Sequence, residues 1–307
     1  MAGKNSKNIN NTFCFTAGFI LLLLFFSCKT TPHIPDDILT GVQFIPLDAG
    51  ASVYLFTNVQ ETRSILDLLP IEELNDKQTR DLLDKTSYAV AAMFPPDSGR
   101  RFQLAAWGDY PSFQAGLAFT FNRYWKKQSS QSNGSYWYSA VNRLSISISS
   151  RQAFVAASLN DIPVNPQTTS TQGVKAPDGF FEFRADSPLS CWMENPKPAI
   201  DKMISDIGIP MQFPVQKLFI NLYLVNDSNG KESYEAVLRF HLENPSQARG
   251  MISILNLASG FMQGSNQVIA SLLFVNPPVQ NGSSLDIKSG ILNEEEILYF
   301  FNTFLNL

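Results

Sequence analysis

A chain of 307 residues with 44% hydrophobic and only 16% charged residues has the composition of a folded globular protein, which excludes wholesale disorder. Its net charge of −4, with no long basic run beyond the extreme N-terminus, lacks the electrostatic footprint of a nucleic-acid binder. Two histidines and three cysteines leave few members for a His-based metal site, a Ser-His triad or a disulfide framework.

Lys4 and Lys7 precede a nearly uncharged stretch, 13–26, that contains Ile20-Leu21-Leu22-Leu23-Leu24-Phe25-Phe26. A basic start and a short apolar core describe a secretory signal; at about 14 residues the core falls short of the ~20 needed to span a bilayer. It ends at Ser27-Cys28, followed by Lys29-Thr30-Thr31-Pro32. This junction resembles a bacterial lipobox of the relaxed kind found in spirochaetes. Phe25 stands three residues before the cysteine, where Leu is usual, and Leu24 stands four before it. The resemblance implies that residues 1–27 are a lipoprotein signal peptide. It also implies that Cys28 carries diacylglyceryl on its thiol and an acyl chain on its amine, and that Lys29 permits outer-membrane sorting. An ordinary cleaved signal and an uncleaved anchor are the alternatives. Each buried methylene contributes about 0.8 kcal/mol, so two or more chains hold where one is marginal. No later apolar run reaches ~18 residues without polar interruption. Only Cys191 then remains as a thiol; beside Trp192 and Met193 it reads as a buried, inert side chain.

Residues 28–46 hold Pro32, Pro35 and Pro46 and read as a lipidated tether. A first α+β half covers 47–159. It reads as a strand over 53–57, helices over 61–69 and 76–85, and strands over 88–94 and 101–107 across the turn Pro95-Pro96-Asp97-Ser98-Gly99. Pro111 opens a helix to about 127. Strands follow over 136–141, 144–149 and 153–158. In the second of these, Leu144, Ile146 and Ile148 alternate with Ser145, Ser147 and Ser149, which predicts an apolar face inward and the serines toward solvent. Residues 160–178, rich in Asn, Pro, Thr and Gln, read as a linker. The second half, 179–307, reads as a strand over 180–184, a helix over 198–207, and strands over 218–225 and 235–242 joined near Asn229-Gly230. A helix over 245–262, strands over 268–275 and 285–291 around Asn281-Gly282, and a helix over 294–305 complete it.

The run Asp109-Tyr110-Pro111-Ser112 matches Glu243-Asn244-Pro245-Ser246, and the surrounding element order matches too. The expected architecture is therefore α+β: two similar β-α-β-β-α-β(β) halves from internal duplication, with mainly antiparallel sheets and helices packed on one face.

Chemistry-bearing clusters are sparse. Glu294-Glu295-Glu296 follows Asn293, a good N-cap, and acids in a first helical turn favour the dipole; capping explains them better than metal binding. Asp109 and Glu243, each ahead of a Pro-opened helix, have the same explanation. His241 shares one strand face with Arg239 and Glu243 and reads as solvated. Motifs of serine hydrolases, zinc proteases, P-loops and dinucleotide folds are missing from the sequence. No catalytic residue, cofactor or metal is expected, although an unmarked carboxylate pair could still make a hydrolase.

Three helices are more apolar than a surface helix requires. Phe113, Leu117, Phe121 and Trp125 mark the first stripe, Met251, Leu255 and Met262 the second, and Phe301 and Phe304 the third. Residues flanking these stripes need cover from the other half, a partner subunit, an apolar ligand or a bilayer; burial within the chain is the simplest. A relaxed lipobox, a body of this size and α+β halves with apolar amphipathic helices resemble treponemal outer-membrane-associated lipoproteins. The resemblance carries no functional residue across. It implies an envelope location and membrane contact through such helices. The expectation is a membrane-anchored lipoprotein of the cell envelope with a non-catalytic role, binding lipid or another apolar ligand. A module that docks an envelope protein partner is its rival.

Overall fold

In the computed structural model the described residues are 44–68, 77–110, 112–130, 134–141, 143–148, 153–158, 162, 173–206, 213–226, 230, 232–261 and 267–304. All of them belong to the compact unit His33–Leu307.

The architecture is α+β. The first half contributes β2 (Val53–Asn58), β3 (Thr86–Met93), β4 (Phe102–Gly108), β5 (Lys126–Ser130), β6 (Gly134–Ser139), β7 (Leu144–Ile148) and β8 (Ala153–Ala157). The second contributes β10 (Leu189–Met193), β11 (Val215–Asn226), β12 (Glu232–Leu242), β13 (Val279–Asn281) and β14 (Ser284–Leu292). These strands form one antiparallel sheet in the order β13-β14-β12-β11-β10-β2-β3-β4-β8-β7-β6-β5. The halves meet at β2 and β10, where Leu55 lies opposite Cys191 and Tyr54 opposite Trp192. Both therefore share one sheet, and on either side of the junction the second strand, third strand and closing strand follow in the same order.

Directly paired residues of antiparallel strands point their side chains to one face. One such row runs Trp137, Ile146, Ala156, Leu104, Ala91, Leu55, Cys191, Ile220, Leu238 and Ile287. On this first face, in the second half, α5 (Lys197–Asp206), α6 (Pro245–Phe261), α7 (Gln267–Leu273) and α8 (Glu294–Phe304) bury Ile200, Met251, Leu255, Ile269, Leu272, Ile297, Phe300 and Phe301. In the first half, Ile65 of α1 (Arg63–Leu68) and Leu82 and Leu83 of α2 (Lys77–Asp84) pack on the same side.

The second face has its own aromatic core of Tyr54, Phe56, Trp192 and Phe219, closed by α4 (Phe180–Arg184) and by the small sheet of β1 (Phe44–Ile45) with β9 (Val174–Lys175). Tyr54 stacks on Trp192 at 4.5 Å, and Phe180 meets Trp192 edge-on at 4.8 Å. Arg184, buried, lies over the Phe56 ring at 5.0 Å and donates to Tyr88 Oη at 2.5 Å. Ile45, within the segment read as tether, and Ile162, within the segment read as linker, are both buried.

Several local expectations are corrected. Residues 180–184 are helical, not extended: Phe180 and Arg184 are the buried pair, a spacing of four rather than two, and left-handed Gly179 (φ 79°) turns the chain into the helix. Residues 267–273 are also helical; buried Ile269, Leu272 and Leu273 follow i, i+3, i+4. The helix opened at Pro111 is α3 (Ser112–Phe121), shorter than expected, because Lys126–Ser130 leave it to pair with β6. Strand β10 had no alternating signature, since all five of its residues are buried. Ser145 and Ser147 are buried, not solvated: the cluster of Tyr136, Val155 and Ile162 closes that face.

Candidate membrane-facing site

Helix α3 contains no charged residue: Ser-Phe-Gln-Ala-Gly-Leu-Ala-Phe-Thr-Phe. It packs on β5 and β7 at the end of the sheet farthest from β13. Its inner side is held by Phe119, whose ring lies 4.8 Å from Trp125 and 5.4 Å from Trp137. Gly116 lies over the Trp137 indole, where an added Cβ would sit 3.7 Å from the ring. A ten-residue helix apolar on all sides cannot bury every side against one sheet surface. The opposite side accordingly carries Phe113, 71% exposed, Leu117, 43%, and Phe121, 83%. Their spacing of four aligns them in one stripe. Tyr124, 49% exposed, and Val141, in the turn after β6, extend the apolar surface beyond the helix end.

The charges around this stripe have one sign. From 110 to 160 the sequence has five cations, Arg123, Lys126, Lys127, Arg143 and Arg151, and no Asp or Glu. Arg123, Lys126, Lys127 and Arg143 are exposed and enter no ion pair among the described residues. Lys126 lies opposite Tyr138, so the start of β5 adjoins the β6–β7 turn that carries Val141 and Arg143. Phe121, Tyr124 and Val141 thus share one corner of the molecule with these cations.

Of the other residues singled out from the sequence, Trp125 is half-buried against Phe119 at the edge of the stripe. Met251, Leu255 and Phe301 are corrected: they are core residues against the first face, so intramolecular packing uses their apolar surface. Leu257, which flanks the second stripe in the sequence, is an exposed apolar residue of α6. Phe304 ends α8, and its side chain, like Cys28 and Met262, lies outside the described residues. Tyr124 continues the helical spacing of the stripe, whereas the exposure of Val141 had no periodic signal; the run of 51 residues without an acid was the signal available there.

The acidic run behaves as capping predicts. Asn293 Oδ1 accepts from the Glu296 amide at 3.0 Å, and Glu296 Oε2 accepts from the Asn293 amide at 2.8 Å, a reciprocal capping box. His241 is less solvated than expected. Its ring lies 4.3 Å from Phe219, and burial, with Arg239 beside it, pushes its pKa below the ordinary 6.5. Ser284 Oγ lies 3.0 Å from His241 Nδ1, a Ser–His approach of the kind a hydrolase would need. The nearby carboxylate, Asp286, is engaged by Arg239 through two 2.7 Å bonds. That leaves no third member of a triad among these groups.

A cleft of about 910 Å³ lies beside the β2–β10 junction, with Val53, Met93, Phe94, Phe102 and Met193 in its wall. Arg101 and Lys202 border it, and so does Thr303, whose buried Oγ1 has no hydrogen-bond partner among the described residues. No helix among the described residues is long and apolar enough to cross a membrane.

The molecule is thus of the mixed α+β class, a broad antiparallel sheet with helices layered on it. Its fold is similar to solved structures of the Treponema pallidum protein TP0453. Crystal form I matches with a TM-score of 0.56 and 19% identity over 86% of this chain and 99% of that one. Form III matches at 0.52 and 18% over 88% and 97%, and form IV at 0.53 and 17% over 84% and 97%. No protein-family profile matches the chain, and no curated protein does.

Proposed function

We propose that this chain is a lipid-anchored protein of a bacterial envelope with a non-catalytic role, tethered through acyl chains on Cys28 and seated on lipid by α3. The observation that carries the reading is the exposed stripe Phe113, Leu117 and Phe121 on an uncharged helix. Water covers that surface at a cost of ~25 cal/mol per Å² that a bilayer interface would recover. The likeness in fold to a treponemal protein supports an envelope setting. The Ser27-Cys28 junction supports the anchor.

Two measurements test it. Full-length chain should incorporate labelled palmitate and partition into detergent, and Cys28→Ser should abolish the label; persistence of the label would refute the anchor. The chain from Lys29 onward, lacking acyl chains, should still float with phospholipid vesicles, and failure to float would refute the seating.

The cleft favours a second reading, the binding of an apolar ligand with a polar or anionic end. Met93, Phe94, Phe102 and Met193 would take the chain, and Thr303 Oγ1 would gain the partner it lacks. A fluorescent fatty acid should bind wild-type protein and bind poorly to Met93→Asp; equal binding by both would refute it. The matched strand order and the paired Pro-Ser helix starts support descent of the halves from one duplicated unit.

A further inference from the structure

We infer that the α3 corner selects anionic bilayers over neutral ones, a reading that rests on the lipid seating proposed above and adds its headgroup preference. The inference starts from charge distribution. Residues 110–160 carry five cations and no acid, so the rest of the chain, with the other 18 Lys and Arg against all 27 Asp and Glu, carries −9. The longest acid-free stretch of an otherwise acidic chain thus gathers five cations, and that stretch holds the exposed apolar stripe.

The fold converts this sequence bias into a surface. Helix α3 ends at Phe121, the chain turns through Arg123 and Tyr124, and β5 begins at Lys126. Register brings the β6–β7 turn, with Val141 and Arg143, alongside the start of β5. Beside the apolar tips Arg123 donates to Tyr124 Oη and lies over its ring, and Lys127 lies over the Trp137 ring, and neither pairs with a carboxylate among the described residues. Aromatic rings flanked by Lys and Arg suit the boundary between headgroups and acyl chains. An anionic bilayer meets both parts at once: acyl chains take Phe113, Leu117 and Phe121, and phosphate or carboxylate headgroups meet Arg123, Lys127 on the α3 face and Lys126 on the edge strand β5. The local field also opposes the long-range repulsion of an acidic protein from an acidic surface, which a neutral corner could not do.

The test uses the chain from Lys29 to Leu307 and vesicles of phosphatidylcholine, alone or with about a third phosphatidylglycerol. Three cations near the surface, each worth about fivefold, give an expected preference of about a hundredfold for the anionic vesicles. That preference should shrink as salt shortens the screening length. The triple variant Arg123→Gln, Lys126→Gln, Lys127→Gln should bind both vesicle types as wild type binds neutral ones. Equal binding of wild type to both vesicles, or a preference that ignores salt, overturns the inference and leaves the seating intact; neither readout needs a variant. A triple variant that keeps the preference while folded also overturns it. Binding to neither vesicle refutes the seating and, with it, the preference. A concentration-dependent dimer that ignores vesicles makes a second copy of the chain the occupant and overturns the inference.

Discussion

Replacing Phe113 and Phe121 by Ser separates the surface role of α3 from its structural one. Full burial of a Phe side chain is worth about 1.5–3 kcal/mol. With 71% and 83% of these residues open to water, roughly three-quarters of that is still to be gained on contact with lipid. The pair should contribute about 3 kcal/mol to vesicle partitioning, and at 1.4 kcal/mol per decade its loss weakens binding roughly 150-fold. The same substitutions remove little packing, because Phe119 and Gly116, not Phe113 or Phe121, hold α3 to Trp137. Stability should change by about 0.5 kcal/mol or less per site, as for ordinary surface positions. Vesicle flotation gives the first quantity and urea unfolding the second. Unchanged flotation, or a loss of several kcal/mol in unfolding, would show that these rings serve the fold and not a lipid surface. Phe119→Ala is the reciprocal perturbation and should lower stability by about 2–4 kcal/mol.

Four further outcomes follow from the described geometry. Arg184→Ala should cost about 2–4 kcal/mol in urea unfolding, because Tyr88 Oη loses its donor and Phe56 loses the overlying cation; a cost near zero would contradict that role. Burial pushes the Cys191 thiol up to about 12, so native protein at pH 8 should resist thiol reagents and react only in denaturant. Burial lowers the His241 pKa, so the unfolded chain binds more protons below its ordinary 6.5. Stability should therefore fall as pH drops from 6.5 toward the folded value, and His241→Gln should flatten that slope in unfolding curves taken across the window. Glu296→Ala should cost about 1 kcal/mol by breaking the capping box, and Glu296→Gln should recover most of it.

Features legible in the sequence were those set by local periodicity. The strands around 53–58, 86–93 and 232–242 alternate or are rich in β-branched and aromatic residues, and the Asn293 cap follows from its neighbours alone. The stripe Phe113, Leu117 and Phe121 was visible as a spacing of four. Whether it faced core or solvent was not, since that depends on which side Phe119 and Trp137 occupy. Met251, Leu255 and Phe301 carry the same local signal and turn inward, because β11, β12 and β14 offer them an apolar floor. Helices α4 and α7 were hidden by aromatic and β-branched content that favours strands, overridden here by packing against the finished sheet. The β2–β10 pairing joins residues more than a hundred positions apart, and no local pattern reports a contact of that range.

The most direct measurement places an environment-sensitive fluorophore at Phe121→Cys in the chain from Lys29, where buried Cys191 stays unlabelled. Leu257→Cys, 65% exposed on α6 at the other end of the sheet, provides the comparison. With anionic vesicles, emission at position 121 should shift to the blue and be quenched by a bilayer-embedded quencher, while position 257 should not respond. No response at 121, or equal responses at both positions, would contradict lipid seating through α3.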